Sequence, residues 1–137
     1  MLSFGYCIWL QPESSSELYN LTQGFEPHIS LKTNMEYDEA IKIFNKIKYD
    51  DLKIEIINKP CITCFKNFYA LQYDVKILQG NINIWMDNAH ISFIYKYGEN
   101  INEKIKINDF IVYFNKINIM NCNNHYSKWI KIEKKNI

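Results

Sequence analysis

Two of the three histidines in this 137-residue chain stand in matching segments, His28-Ile29-Ser30-Leu31 and His90-Ile91-Ser92-Phe93. Residues i and i+2 of a β-strand share a face, so each segment presents an imidazole beside a hydroxyl. The intervening apolar residues would hold each strand against a core. If the two strands are neighbours, two imidazoles and two hydroxyls line one groove.

This set of side chains suits hydrolysis of a phosphodiester without a metal. One histidine can activate water while the other protonates the departing ribose oxygen. Serine hydroxyls can donate hydrogen bonds to the non-bridging phosphate oxygens. We therefore predict that His28 and His90 are catalytic and that Ser30 and Ser92 bind phosphate, with no metal and no cofactor. The sequence leaves open which histidine is the acid and which the base. His125 lacks the apolar alternation around it, and we give it no role.

Composition and charge limit the partners of the chain. With 47% hydrophobic and 15% aromatic residues, we expect one folded domain over residues 1–137. A formal net charge of +1 excludes a broad basic field for long duplex nucleic acid, whereas a nucleotide or an RNA end remains compatible. No run approaches the ~20 apolar residues that cross a bilayer. We expect a monomer without a membrane partner.

The start of the chain and its residue usage bear on where the protein acts. Residues 1–5 have no basic segment followed by a long apolar run, which predicts a cytoplasmic protein. Abundant isoleucine and asparagine indicate an AT-rich genome, such as that of a parasite, a protist or a large DNA virus. For a virus, the compartment would be the host cytoplasm.

The four cysteines are Cys7, Cys61, Cys64 and Cys122. Cys61 and Cys64 have the spacing of half a zinc site, but a lone CxxC without a second pair is a weak signal. We therefore predict four reduced, mostly buried thiols.

Apolar periodicity predicts a β-α-β-α order in the first third of the chain. Alternation from Phe4 to Leu10 indicates a strand that ends at Pro12. Capping boxes at residues 14–17 and 33–36 predict two helices, the second continuing through Ile47. The predicted elements that follow are strands at residues 52–58, 65–75, 82–86 and 89–97, a short helix within 101–110, and a closing hairpin of 111–119 with 126–132.

Four segments carry a resemblance to a known family. Glu26-Pro27-His28-Ile29-Ser30 and His90-Ile91-Ser92-Phe93-Ile94-Tyr95 resemble the two motifs of the 2′,3′-cyclic nucleotide phosphodiesterase branch of the 2H phosphoesterase superfamily. Tyr6-Cys7-Ile8-Trp9-Leu10-Gln11-Pro12 looks like its opening strand, and Tyr126-Ser127-Lys128-Trp129-Ile130 looks like its tryptophan-bearing final strand. The resemblance runs from Phe4 to about Ile132.

The resemblance implies a fold and two further site residues. The fold is α+β and bilobal, with two antiparallel sheets flanking a central groove and helices on the outside. By the same resemblance, Trp9 and Tyr95 contact the nucleoside. Alternation supports Trp9, which falls on the strand face opposite Ile8. Strict alternation places Tyr95 opposite His90 and Ser92, so only a twist or bulge would bring it into the groove.

Three hypotheses of function follow. The first is hydrolysis of 2′,3′-cyclic phosphates on nucleotides, RNA ends or ADP-ribose cyclic phosphate to a 2′-phosphate, as in RNA processing. The second keeps the site but acts on 2′,5′-linked oligonucleotides or cyclic-dinucleotide messengers, as a virus would degrade to blunt host immunity. The third is an inactive RNA- or nucleotide-binding domain. Two intact histidine–serine pairs argue against the third, because binding alone does not need two imidazoles.

Overall fold

A computed structural model describes residues 3–136, and for residues 134–136 it describes the backbone alone. Met1 and Leu2, which belong to the opening segment considered above, lie outside the described residues. The described chain forms two short 3-10 turns, Glu17–Asn20 and Tyr126–Lys128, and nine longer elements: β1 Tyr6–Pro12, β2 Ile29–Met35, α1 Tyr37–Lys46, β3 Leu52–Ile56, β4 Cys61–Phe65, β5 Phe68–Gln79, β6 His90–Tyr97, β7 Ile111–Asn121 and β8 Ile130–Asn136.

The strands of the described chain form one eight-stranded sheet with antiparallel pairings. Its order is β1-β2-β6-β5-β3-β7-β8, with β4 paired to β5 and β1 also paired to β7. The path from β1 through β2, β6, β5, β3 and β7 therefore returns to β1 as a closed ring. The predicted α+β class is confirmed. The predicted division into two sheets is not confirmed, because hydrogen bonds join all these strands into one sheet.

The core forms where the alternating apolar residues of the strands face inward. Ile29, Leu31, Ile91 and Phe93 are at most 2% exposed, as the alternation predicts. Helix α1 contacts β1 and β7. Strand β1 is buried on both faces. On the face away from the main core, its residues Cys7 and Trp9 pack with Met120 and Cys122 in a second apolar cluster. This second cluster places Trp9 inside the protein.

The two predicted capping boxes differ from the structure. The first helix is only the 3-10 turn Glu17–Asn20, capped by Ser16, whose hydroxyl accepts from Leu18 N. Helix α1 does follow the second box, but its N-cap is Glu36, whose side chain makes no capping bond. Thr33 lies in β2 and takes no part.

The middle of the chain departs further from the predicted elements. Residues 65–75 divide at a turn between β4 and β5, and residues 82–86 form a loop with one isolated bridge, Tyr49 to Ile82. The helix predicted within residues 101–110 is absent from this described segment. The segment is irregular, and the Glu17 carboxylate accepts hydrogen bonds from the backbone N–H groups of Asn108 and Asp109 near its end. The closing hairpin is observed as β7 with β8, but its second strand begins at Ile130, because residues 126–128 form a 3-10 turn and not the predicted strand.

Two further predictions concern membranes and thiols. In the described part of the chain, no helix has both the length and the apolar character needed to cross a membrane. All four cysteines are free, but only Cys7 and Cys122 are buried, whereas Cys61 and Cys64 are exposed. The expectation of mostly buried thiols is wrong for Cys61 and Cys64. Both lie on β4, which pairs with β5 outside the main strand order, and all five residues of this strand are exposed.

Candidate functional site

The two His-x-Ser segments lie on neighbouring strands. β2 pairs with β6 in antiparallel fashion, with Ile29 directly across from Ile91. This register places Ser92 across from His28 and His90 across from Ser30. The two histidines are therefore diagonal neighbours, which in a regular sheet have Cα atoms about 7–8 Å apart.

These strands form part of the wall of a cavity of about 310 Å³. Its lining includes five of the six predicted site residues, namely His28, His90, Ser30, Trp9 and Tyr95. Its volume lies at the small end of the roughly 300–1,000 Å³ found for small-molecule sites. Ser92 is only 3% exposed. The cavity thus holds both imidazoles together with one of the two serines.

Both histidines have the same tautomer, and a local hydrogen bond fixes it. His28 Nδ1 lies 2.9 Å from the carbonyl oxygen of Glu26, and His90 Nδ1 lies 3.0 Å from that of Asn88. A carbonyl oxygen can only accept, so each Nδ1 carries the hydrogen and donates it. Each neutral ring therefore keeps the lone pair on Nε2. In both residues Nε2 is the nitrogen left to exchange a proton with a ligand.

The environment of His28 favours its neutral form. The side chain is 5% exposed. Its ring stacks on that of Trp9, with the centroids 3.5 Å apart and an interplanar angle of 5°. The Trp129 ring makes an edge contact with it, with the centroids 6.2 Å apart. Burial lowers the pKa of His28 from 6.5 to about 3; the Glu26 carbonyl opposes this shift, and the charge of His90 adds to it. His28 is therefore neutral across the physiological range, whereas His90 is half-exposed.

Trp9 lies beside the catalytic candidates, but not in the manner of an open stacking surface. It sits across from Ser30 in the β1–β2 register. It is 2% exposed. One face of its ring stacks on His28, and the Trp129 ring lies at 73° to it with the centroids 5.5 Å apart. This geometry favours a role in holding His28 over the predicted contact with a nucleoside.

Tyr95 reaches the cavity through an irregularity in β6. Leu71 and Gln72 are adjacent on β5, yet they pair with Ile94 and Ser92, so β6 contains one extra residue at that point. This β-bulge shifts the alternation and brings Tyr95 to the face of His90 and Ser92. Burial raises the pKa of the Tyr95 phenol above its usual value, an effect that the neighbouring Ser92 hydroxyl opposes. The bulge that its predicted contact requires is present.

Sequence reasoning missed a buried polar pair that supports His28. Gln11 and Asn118 are 0% and 1% exposed. The Asn118 side-chain amide donates to Gln11 Oε1, and Gln11 Nε2 donates to the carbonyl oxygen of Pro27 at 3.0 Å. Pro27 immediately precedes His28, so the pair fixes the backbone where the histidine leaves the loop. The sequence shows Gln11 in β1 and Asn118 in β7, but that the two amides meet follows only from the β1–β7 pairing.

Other cavity residues also escaped prediction. Trp129, Phe68 and Gln72 line the cavity, although they lie on three different parts of the chain. His125, which we gave no role, accepts from Ser127 N at 3.2 Å through Nδ1 and caps the 3-10 turn Tyr126–Lys128. Its position is that of a capping residue.

Comparisons with known proteins do not identify a family. Protein-family models, curated proteins and solved structures were compared with the chain, and none of the three gives a match. Among the described residues, no three or more His, Cys, Asp or Glu side chains are grouped so that they could hold a metal ion.

Proposed function

We propose that this chain is a metal-independent phosphodiesterase that opens 2′,3′-cyclic phosphates of nucleotides or RNA ends to a 2′-phosphate. The observation that carries the proposal is the matched pair of histidines on one cavity, each with Nδ1 bound to a carbonyl oxygen and Nε2 left for the substrate. General acid–base catalysis at a phosphodiester uses one group that accepts a proton and one that donates it, and two imidazoles with Nε2 available can fill both roles. A binding domain has no need of this arrangement.

The two histidine rings have different surroundings, and on that basis we assign His28 the role of base and His90 the role of acid. His28 is neutral, so its Nε2 accepts a proton from the attacking water. The water oxygen bonds to phosphorus as the bond from phosphorus to the ribose 3′ oxygen breaks. His90, which is half-exposed, donates a proton to that oxygen. The Ser30 hydroxyl donates to a non-bridging oxygen as charge develops there.

Binding of the substrate assists this division of roles. A phosphodiester carries one negative charge, and a nearby opposite charge favours a protonated imidazole. The bound anion therefore raises the pKa of His28 from its value of about 3 in the free protein toward the range where a base is effective. The carbonyl of Glu26, which accepts from Nδ1, stabilises the imidazolium that forms.

Hydrolysis of 2′,3′-cyclic AMP by the wild-type chain, followed by phosphorus NMR, tests the proposal. His28→Ala and His90→Ala should each lower kcat by about 10²–10⁴-fold, the usual contribution of a general acid or base. His125→Ala is the matched control, since this third histidine caps a turn, and should keep the wild-type rate. Circular dichroism checks that each variant is folded, and His28→Gln serves if the alanine variant is not.

The same assay separates the proposal from its rivals. EDTA should leave the rate unchanged, and loss of activity on chelation would indicate a metal site instead. ADP-ribose cyclic phosphate, a 2′,5′-oligoadenylate and 2′,3′-cyclic GMP-AMP should be compared under the same conditions. A wild-type chain that hydrolyses none of the four, or a His90→Ala variant as active as wild type, would refute the two-histidine mechanism.

A further inference from the structure

The hairpin of β4 and β5 contributes a wall to the cavity that contains the two histidines. Thr63 and Phe65 on β4 and Phe68 and Gln72 on β5 all line it. Neither strand contains a histidine or a residue that the proposed hydrolysis uses. Their side chains are therefore free to contact a part of the substrate other than the phosphate.

Gln72 presents an oriented amide to this cavity. It lies across from Ser92 on β6, and the register of β6 with β2 continues this row to His28. Thr63 Oγ1 donates to Gln72 Oε1 at 3.2 Å. Because the amide oxygen accepts from Thr63, the Nε2 group with its two N–H donors is the part of this amide available to a ligand.

Phe65 places an aromatic ring at the rim of the same wall. Its side chain is 62% exposed, which is unusual for a phenylalanine in a folded domain. It lies across from Phe68, which is buried and packs on Tyr95 with ring centroids 5.0 Å apart. The aromatic row thus extends from the interior to an open ring at the cavity rim.

The turn after Phe65 fixes the position of this ring. Lys66 and Asn67 have φ angles of 49° and 62°, as in the two-residue type I′ turn of a tight hairpin. Gly98 N donates to the Asn67 carbonyl oxygen at 2.7 Å and ties the turn to the end of β6. The Lys66 ammonium lies 5.3 Å from the centre of the Phe65 ring. The exposed ring is therefore carried by a short, restrained turn.

We propose that the β4–β5 hairpin binds the nucleobase of the substrate, with Phe65 stacking on the base and the Gln72 amide donating to its edge. This inference rests on the proposed function and narrows it to cyclic phosphates of nucleosides, as opposed to those of base-free sugars. A flat ring with hydrogen-bond acceptors at its edge matches an open aromatic face beside an amide donor. Phe65 lines the same cavity as His28 and His90, with the histidines on one wall and the β4–β5 turn at the rim.

The test compares two substrates that differ only in the base: 2′,3′-cyclic AMP and the 2,3-cyclic phosphate of methyl β-riboside. Stacking of one base contributes ~1–3 kcal/mol, or about 5- to 150-fold in affinity. Phe65→Ala should raise KM for cyclic AMP by a factor in this range and leave kcat/KM for the base-free substrate unchanged. Phe65→Trp should retain the preference for the nucleotide, and Gln72→Ala should reduce it.

Ile62→Ala is the matched control, since Ile62 is also an exposed apolar residue of β4, at 44% exposure. It should leave both substrates unaffected. If Phe65→Ala slows both substrates equally, or if wild type does not prefer the nucleotide, the base-binding role is refuted while the proposed hydrolysis stands. If wild type hydrolyses neither substrate, the proposed function fails and this inference fails with it.

Discussion

Burial of His28 should make this protein lose stability on acidification, in addition to any loss from its carboxylates. The His28 imidazole is buried against Trp9, and burial lowers its pKa to about 3, against 6.5 in an unfolded chain. Above pH 6.5 the ring is neutral in both states. As the pH falls below 6.5, the unfolded chain takes up a proton on this residue and the folded chain does not, so the unfolded state gains stability. The loss continues until the pH reaches the folded pKa.

The two pKa values set the size of this effect. Within the window from pH 6.5 to about 3, each pH unit costs up to ~1.4 kcal/mol of unfolding free energy for one proton. At pH 6.5 the ring is half protonated in the unfolded chain, so the loss per pH unit begins below its full value. Between pH 6.5 and 4.5 the free energy of unfolding therefore falls by about 2 kcal/mol. That is a large share of the ~5–15 kcal/mol that stabilises a typical domain.

Urea unfolding, followed by fluorescence of the three tryptophans at the two pH values, measures this loss. Carboxylates also titrate in this range, so the informative quantity is the difference between wild type and His28→Gln, which cannot take up the proton. Wild type should lose about 2 kcal/mol more than this variant. His125→Gln is the control and should behave as wild type, because His125 is a partly exposed turn cap. Equal losses in wild type and His28→Gln would refute the inference that His28 is held neutral by burial.

Three further substitutions test the backbone at two glycines and the buried polar pair beside His28. Gly80→Ala should destabilise the fold by more than Gly98→Ala, as measured by urea unfolding. Both glycines have a positive φ, but a Cβ at position 80 would lie 2.7 Å from the carbonyl oxygen of Asp51, whereas nothing lies within 4 Å of one at position 98. Equal losses would show that backbone strain alone matters. Gln11→Leu should lower stability by ~1–3 kcal/mol for each buried group that it leaves unpaired and should also slow hydrolysis, because Gln11 holds the Pro27 carbonyl; an unchanged rate would contradict its positioning role.

Local patterns in the sequence were sufficient to predict the strands that carry the histidines. Alternation around Ile29 predicts a core face and an open face, and β2 shows both; on β6 the core face around Ile91 is observed, whereas Ser92 on the other face is also buried. Helix α1 was predicted because its apolar spacing fits a helix that packs on a sheet. The predicted helix within residues 101–110 failed for the opposite reason. There a carboxylate distant in the chain, that of Glu17, binds the backbone N–H groups and overrides the local spacing.

The parts of the site that could not be predicted depend on which strands pair and in what register. Tyr95 reaches the cavity because β6 has one extra residue opposite β5, and no local pattern specifies a bulge there. Gln72 became a candidate only because the register places it across from Ser92. Trp9 was predicted on the correct strand face, but its burial follows from Trp129 and Met120, which come from the other end of the chain.

The two histidines show how local and long-range structure divide the control of one site. Each ring donates from Nδ1 to a carbonyl oxygen two residues earlier, so the shared motif at the start of a strand is enough to set the tautomer. The difference between the rings comes from the tertiary fold, since aromatic residues of β1 and of the segment before β8 enclose His28 and leave His90 half-exposed. Pairs of titratable groups in unequal environments are those that divide into acid and base. In the mechanism that we propose, the repeated motif therefore supplies two similar proton carriers, and the packing around them assigns the role of base to His28.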